Sequence, residues 1–298
     1  MKKCFYIIFL FLPSILFSAL INNPDSVKNV IQSLDSNEKA LSYIELAKYY
    51  TYAELDSVNL EYITKAYQTA TDKETKGLAL FWEAFIHLYY KNDEKHLAYL
   101  DKAIAEFESV NDSLLAESYY WKTRTYERKG LYPEALATGL QCLGIAQKLP
   151  AKDKQILYIQ EVGYIYDRMG EFDKAIEWYE KGLIIALETG KKEHIGKSYG
   201  LLGIAYDAQE NYKQALENNL NAVKYFLEAQ DTSNLIVWYS NIGNTYTKMG
   251  DLKNAEQYLL KSINTSKKYK SRIAGINLGK VYIEQGKICR SRRNITMF

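Results

Sequence analysis

Four stretches of this chain align when written under one another at a constant offset of 40 residues: GLYPEALATGLQCL from Gly130, GEFDKAIEWYEKGL from Gly170, ENYKQALENNLNAV from Glu210 and GDLKNAEQYLLKSI from Gly250. The small residues Ala135, Ala175, Ala215 and Ala255 keep that interval without slippage. Upstream of the last three, the glycines Gly163, Gly203 and Gly243 keep it too, each followed three residues later by Tyr166, Tyr206 or Tyr246. Self-similarity at a period of this size means stacked supersecondary units, each resting mainly on its neighbours. The length of 298 residues therefore does not divide into ordinary compact domains.

Within each period, apolar and small residues recur at i, i+3, i+4 and i+7, twice, which predicts two amphipathic helices and hence a helical hairpin. A glycine in the middle of the first helix lets a partner helix approach closely, and the alanine of the second helix does the same from the other side. Gly130, Gly170 and Gly250 fall between the two helices, where a left-handed residue ends the first. Tyrosine, at 27 residues, is abundant and proline, at 4, is scarce. Both favour long helices with aromatic anchors over a turn-rich β fold. The expected class is all-α, a solenoid of stacked antiparallel helical hairpins.

The order apolar or aromatic, Leu-Gly, Tyr, Gly, then aromatic-x-x-Ala resembles the tetratricopeptide repeat. Three successive units carry the glycine, tyrosine and alanine together, although the period is 40 rather than the usual 34 residues. This extended form resembles the exported sensing portion of bacterial signalling proteins. The resemblance implies a right-handed superhelix. With the frame set, weaker copies appear on both sides: YIELAKYYTYAE with Leu46 and Ala47, LFWEAFIHLYYKND with Ala84 and His87, YYWKTRTYERKG with Thr123 in place of the glycine, and INLGKVYIEQG with Gly279, Tyr282 and Gly286. The expected organisation is a lead-in or cap helix over 22–35, an array over 36–286 of six hairpins plus one extra helix, and a basic tail over 287–298.

Residues 1–19 read as a signal peptide or an N-terminal anchor: Lys2 and Lys3 precede an apolar run from Cys4 to Phe17, too short for an ordinary membrane span. The expected location is exported, periplasmic or in the cell envelope. Without Lys2 and Lys3 the chain carries 36 basic and 36 acidic side chains, yet residues 251–298 hold 11 basic against 3 acidic. A solvated basic end accounts for this, and nucleic acid is not an expected partner of an exported protein. A membrane enters only through an uncleaved N-terminal segment or a following part. Cys142 lies in an amphipathic helical stretch and Cys289 in the tail, with no CxxC pair or Cys/His cluster, so neither a disulfide framework nor a zinc site is implied.

No HExxH, GxSxG, GxGxxG or phosphate loop occurs, and the three histidines His87, His96 and His194 read as packing or loop residues. The expectation is therefore no catalysis, no cofactor and no metal. What the repeat resemblance implies instead is a concave groove lined by the first helices, which would hold a protein or an extended peptide. By that geometry the residues one after the glycine column and three before it face the groove: Ile44 and Lys48, Phe81 and Phe85, Tyr120 and Arg124, Gln160 and Tyr164, Gly200 and Ile204, Ser240 and Asn244. Arg124 beside Tyr120 and Tyr164 could hold a carboxylate or stack on a ring, with Phe81 and Phe85 as apolar anchors. Relatives that clamp a peptide's terminal carboxylates use paired Lys and Asn, whereas Lys48 and Asn244 are far apart in this sequence. Two functions follow: an exported scaffold that binds a protein or peptide, or the ligand-sensing input domain of a membrane-bound regulator, a histidine kinase or a DNA-binding response protein.

Overall fold

The structure, a computed structural model, describes residues 31–52, 56–266 and 272–286. The signal segment, residues 22–30 of the expected lead-in helix and the tail after Gly286 lie outside them. Thirteen α-helices and no strand occur among the described residues. None of these helices is long and apolar enough to cross a membrane. The chain divides into two compact units, residues 1–129 and 130–298. The first contains α1 (Ser36–Tyr52), α2 (Asp56–Thr69), α3 (Lys73–Tyr89), α4 (Asp93–Phe107) and α5 (Asp112–Arg128). The second contains α6 (Tyr132–Ala146), α7 (Lys152–Arg168), α8 (Phe172–Thr189), α9 (Lys192–Ala208), α10 (Tyr212–Glu228), α11 (Thr232–Lys248), α12 (Leu252–Thr265) and α13 (Arg272–Glu284).

Packing follows chain order. In the first unit α1 pairs with α2 and α3 with α4, and in the second α7 pairs with α8, α9 with α10 and α11 with α12. Each pair rests on the next through its second helix, and the first helices α7, α9, α11 and α13 also touch in succession, as α1 touches α3. The apolar core is accordingly a row of local clusters. Ala175, Ile176 and Tyr179 of α8 close on Leu202 and Ala205 of α9, Phe226 of α10 on Trp238 and Ile242 of α11, and Leu259 of α12 on Leu278 and Val281 of α13. Tyr166 and Tyr206 pack beside the first of these clusters, Tyr246 beside the other two and Tyr282 beside the last. Cys142 is buried.

The turns inside the hairpins share one hydrogen-bond pattern. After α7, the Glu171 amide donates to the Tyr166 carbonyl at 2.9 Å and the Gly170 amide to Asp167 at 3.0 Å; Asn211 and Glu210 repeat this after α9, and Asp251 and Gly250 after α11. This is the Schellman closure, which needs a residue at positive φ. Gly130, Gly170 and Gly250 supply it at 74°, 78° and 76°, and Glu210 adopts 62° in the same place. The next residue then caps the second helix: Oδ1 of Asp251 accepts from the Asn254 amide at 3.1 Å, and Oδ1 of Asn92 from Lys95 at 3.1 Å.

The glycine column lies at helix crossings. A Cβ on Gly163 would stand 2.7 Å from the Tyr179 ring, one on Gly243 would stand 2.6 Å from Cγ of Leu259, and Gly203 faces the side chain of Asn219. The second-helix residues Ala175, Ala215 and Ala255 are all fully buried. Gly279 continues the column in sequence, but no described atom lies within 4 Å of the Cβ it would carry. Polar side chains link successive repeats: Asp207 of α9 accepts from Oγ1 of Thr245 at 3.0 Å and pairs with Lys248, both on α11.

Candidate functional site

Three first helices of the first unit enclose a groove of about 370 Å³. From α1 it receives Ala47, Lys48 and Thr51, from α3 Trp82, Phe85, Ile86, Leu88 and Tyr89, and from α5 Trp121 and Arg128. The helical period explains the α3 wall: Trp82, Phe85 and Tyr89 follow one another at spacings of three and four, so they form one stripe. Phe85 sits at the centre, its ring 4.7 Å from Trp121 in an edge-to-face arrangement, 5.4 Å from Trp82 and 4.9 Å from Phe81.

Two cations border this aromatic surface. The Lys48 ammonium lies 3.9 Å from the Trp82 ring centroid and is paired with Glu45. Burial holds its pKa below the ordinary lysine value, against the opposing pull of Glu45. Arg128 is exposed and paired with Asp93. Behind the groove, the imidazole of His96 meets Phe85 edge-on at 5.9 Å. Its Nδ1 lies 2.8 Å from the Ala84 carbonyl, while Nε2 has no hydrogen-bond partner. His96 is fully buried and occupies the place on α4 that alanine holds in α6, α8, α10 and α12. Its pKa is lowered, first by burial. His87 packs at 5.1 Å on Tyr99, and a hydrogen bond with Glu83 pushes the Tyr99 phenol up to about 12.

Of the residues expected to face a groove, Lys48 and Phe85, each one past the glycine column, line this one. The position three before that column turns inward instead. Ile44 and Phe81 are 2% and 1% exposed, Ser240 is buried, and Gly200 is covered by the Trp238 indole. Gln160 is likewise buried, where its Nε2 donates to Oγ of Ser198 at 3.0 Å, tying α7 to α9. The reason is angular: three residues before the column is the side of the first helix that packs on the neighbouring hairpin, whereas two before it, at Trp82 and Trp121, is the open side. Tyr120 is half-buried, edge-on to Trp121 at 5.6 Å, and Arg124 lies 3.6 Å from Glu127 on its own helix. Neither lines the groove. Tyr164 of α7 and Asn244 of α11 are half-buried in the second unit, and Ile204 of α9 is exposed there. His194 opens α9 rather than lying in a loop, its Nε2 3.6 Å from Asp153. Trp82, Tyr89, Trp121 and Arg128 were not anticipated from sequence, although the run FWEAFIHLY already holds the three-and-four spacing.

Among the described residues no group of three or more His, Cys, Asp or Glu side chains is placed to hold a metal ion. Tetratricopeptide repeat models match residues 155–228 and 239–269. The chain carries tetratricopeptide repeats over these residues. Its repeats are similar to response regulator aspartate phosphatase I of Bacillus subtilis (strain 168), 24% identical over 215 residues that cover 67% of this chain and 54% of the relative. Among solved structures, the tetratricopeptide array is similar to a signal transduction ATPase with numerous domains and a tetratricopeptide repeat sensor from Pyrococcus horikoshii. The TM-score is 0.73 at 24% identity, over 94% of this chain and 44% of that one. It is also similar to the apo form of RapI, with a TM-score of 0.72 at 17% identity over 92% of this chain and 75% of that one, and to BtubC from P. vanneervenii, with a TM-score of 0.60 at 20% identity over 67% and 87%. At these identities the likeness is one of fold. The chain spans about half the length of the curated relative it matches, and less than half of the signal transduction ATPase.

Proposed function

We propose that this tetratricopeptide scaffold is exported and captures a protein or peptide on its first helices without catalysing a reaction. The observation that carries the reading is the groove between α1, α3 and α5, where Trp82, Phe85 and Trp121 present an apolar surface and Lys48 and Arg128 border it. A preformed aromatic surface holds a partner through a few large contacts at little conformational cost. The histidines support binding rather than turnover: His87 and His96 are buried in packing, and His194 sits at an ion pair. Export rests on the charged start and apolar run of the first 17 residues.

The test is a pull-down from the envelope fraction with the full chain, beside a Phe85→Ala/Trp121→Ala variant of unchanged helicity. A partner captured by the parent and lost by the variant supports the reading; identical capture by both removes the groove from it. Fractionation of the tagged chain tests export, and a chain confined to the cytosol refutes it. A second reading, a sensing input part of a larger regulator, is favoured by the similarity to an ATPase whose tetratricopeptide repeats are described as a sensor. A ligand that alters the chain's oligomeric state or protease sensitivity would support it.

A further inference from the structure

At the contact between α3 and α4 stands an ionisable ring that the groove does not use. His96 is 0% exposed and fills the alanine column of its hairpin, against Ala84 of α3. Its Nδ1 lies 2.8 Å from the Ala84 carbonyl, which can only accept, so the neutral ring carries its proton on Nδ1 and presents a bare lone pair at Nε2. Among the described residues nothing bonds to that Nε2. A second proton would therefore create a buried cationic N–H without an acceptor. The charges around the ring decide whether the closed hairpin can bear it. From α5 the Arg128 guanidinium opposes a charged ring, and from α3 His87 does the same. From α4 itself Asp93 favours the charge, yet that carboxylate is engaged by Arg128.

We infer that the α3–α4 hairpin is an acid-operated latch: protonation of His96 at Nε2 opens the contact between the two helices and lets water reach the ring, while neutral His96 keeps it shut. Opening follows the proton because an exposed imidazole takes it at about pH 6.5, whereas the buried one takes it only at lower pH. The open hairpin thus gains on the closed one as pH falls, by about tenfold between pH 7.5 and pH 5.5. Glu83, a carboxylate of the same hairpin, acts with the opposite sign: burial raises its pKa, so acid favours the closed form through it. The consequence reaches the groove, since the Phe85 ring lies 5.9 Å from His96 and 4.7 Å from Trp121. On the binding reading above, acid releases a partner; the latch itself does not rest on that reading.

Hydrogen exchange read by mass spectrometry on the full chain, at pH 7.5, 6.5 and 5.5 and corrected for the intrinsic exchange rate at each pH, tests the latch without a ligand. Protection across α3 and α4 should fall about tenfold from the highest pH to the lowest, while α7 to α12 keep theirs. His96→Ala, which installs the residue that α6, α8, α10 and α12 carry there, should abolish the fall. His96→Gln should do so as well, and it keeps the test open where the smaller side chain loosens the hairpin at every pH. Arg128→Gln removes the opposing charge and frees Asp93 to accept from the ring, so it should shrink the fall; an equal loss of protection at all three pH values in this variant counts against the latch. The absence of a fall, a fall spread evenly over both units, or one that survives in both His96 variants overturns the proposal. A fall that survives in them and is lost in His87→Phe assigns the acid response to His87 instead.

Discussion

His96 is a large, ionisable ring in a position that the other repeats fill with a methyl group. Its Nδ1 is held by the Ala84 carbonyl, and the groups that act on it electrostatically are Arg128, Asp93 and His87. Burial disfavours the charged ring, so its folded pKa lies below the unfolded value of about 6.5. The stability linked to neutral His96 is therefore fully present above that unfolded value and is lost as pH falls below it toward the folded pKa. Melting temperatures should drop between about pH 7.5 and about pH 5, and His96→Ala should flatten the drop, leaving a smaller slope from His87. An unchanged slope in the variant would show that other groups carry the acid sensitivity. Glu210 is the second residue-scale case. It takes φ 62° where three other repeats use glycine, a conformation that costs a side-chain-bearing residue about 1 kcal/mol. Glu210→Gly should stabilise the protein by about that amount in a denaturant titration. A loss of stability would mean that the Glu210 side chain contributes more than the turn costs.

Among the elements, the glycine column tests packing against sequence. Gly243 and Gly279 occupy equivalent places in α11 and α13, and from sequence they are indistinguishable. The structure separates them: a Cβ on Gly243 would meet Leu259 at 2.6 Å and the Ala255 carbonyl at 3.2 Å, whereas none on Gly279 would meet a described atom within 4 Å. Gly243→Ala should destabilise by about 1–3 kcal/mol through overpacking against a fixed backbone oxygen. Gly279→Ala should stabilise by about 0.5–1 kcal/mol through helix propensity. Thermal melts of the two single variants decide the matter, and a common sign would show that the two glycines share an environment. The hairpins themselves were legible, because the glycine, tyrosine and alanine spacings report the helical period directly. Which side of each first helix stays open was less so. The expected pairs Ile44/Lys48 and Phe81/Phe85 each joined one buried and one groove residue, since residues four apart lie only about 40° from one another around the helix and the edge between the interior and the open side falls between them.

At the scale of the whole molecule, chain order and spatial order coincide in the second unit, so one period should be removable. Deleting residues 171–210 joins Gly170 directly to Asn211, which recreates the turn found after α7 and removes one second helix with the first helix that follows it. The shortened chain should keep the helical circular dichroism per residue of the parent and still melt cooperatively, at lower temperature, because each repeat rests on its neighbours. An aggregated or unfolded product would mean that contacts beyond nearest neighbours hold the unit together. The sequence by itself determined the all-α class, the helical hairpins, the turns at Gly130, Gly170 and Gly250 and the family, because each of these depends on spacing along one chain. Tertiary structure decided where a surface could receive a ligand. Trp82 and Phe85 on α3, Lys48 on α1 and Trp121 and Arg128 on α5 come together only when three helices stack, and the angle at which they stack decides which side chains are covered and which remain open.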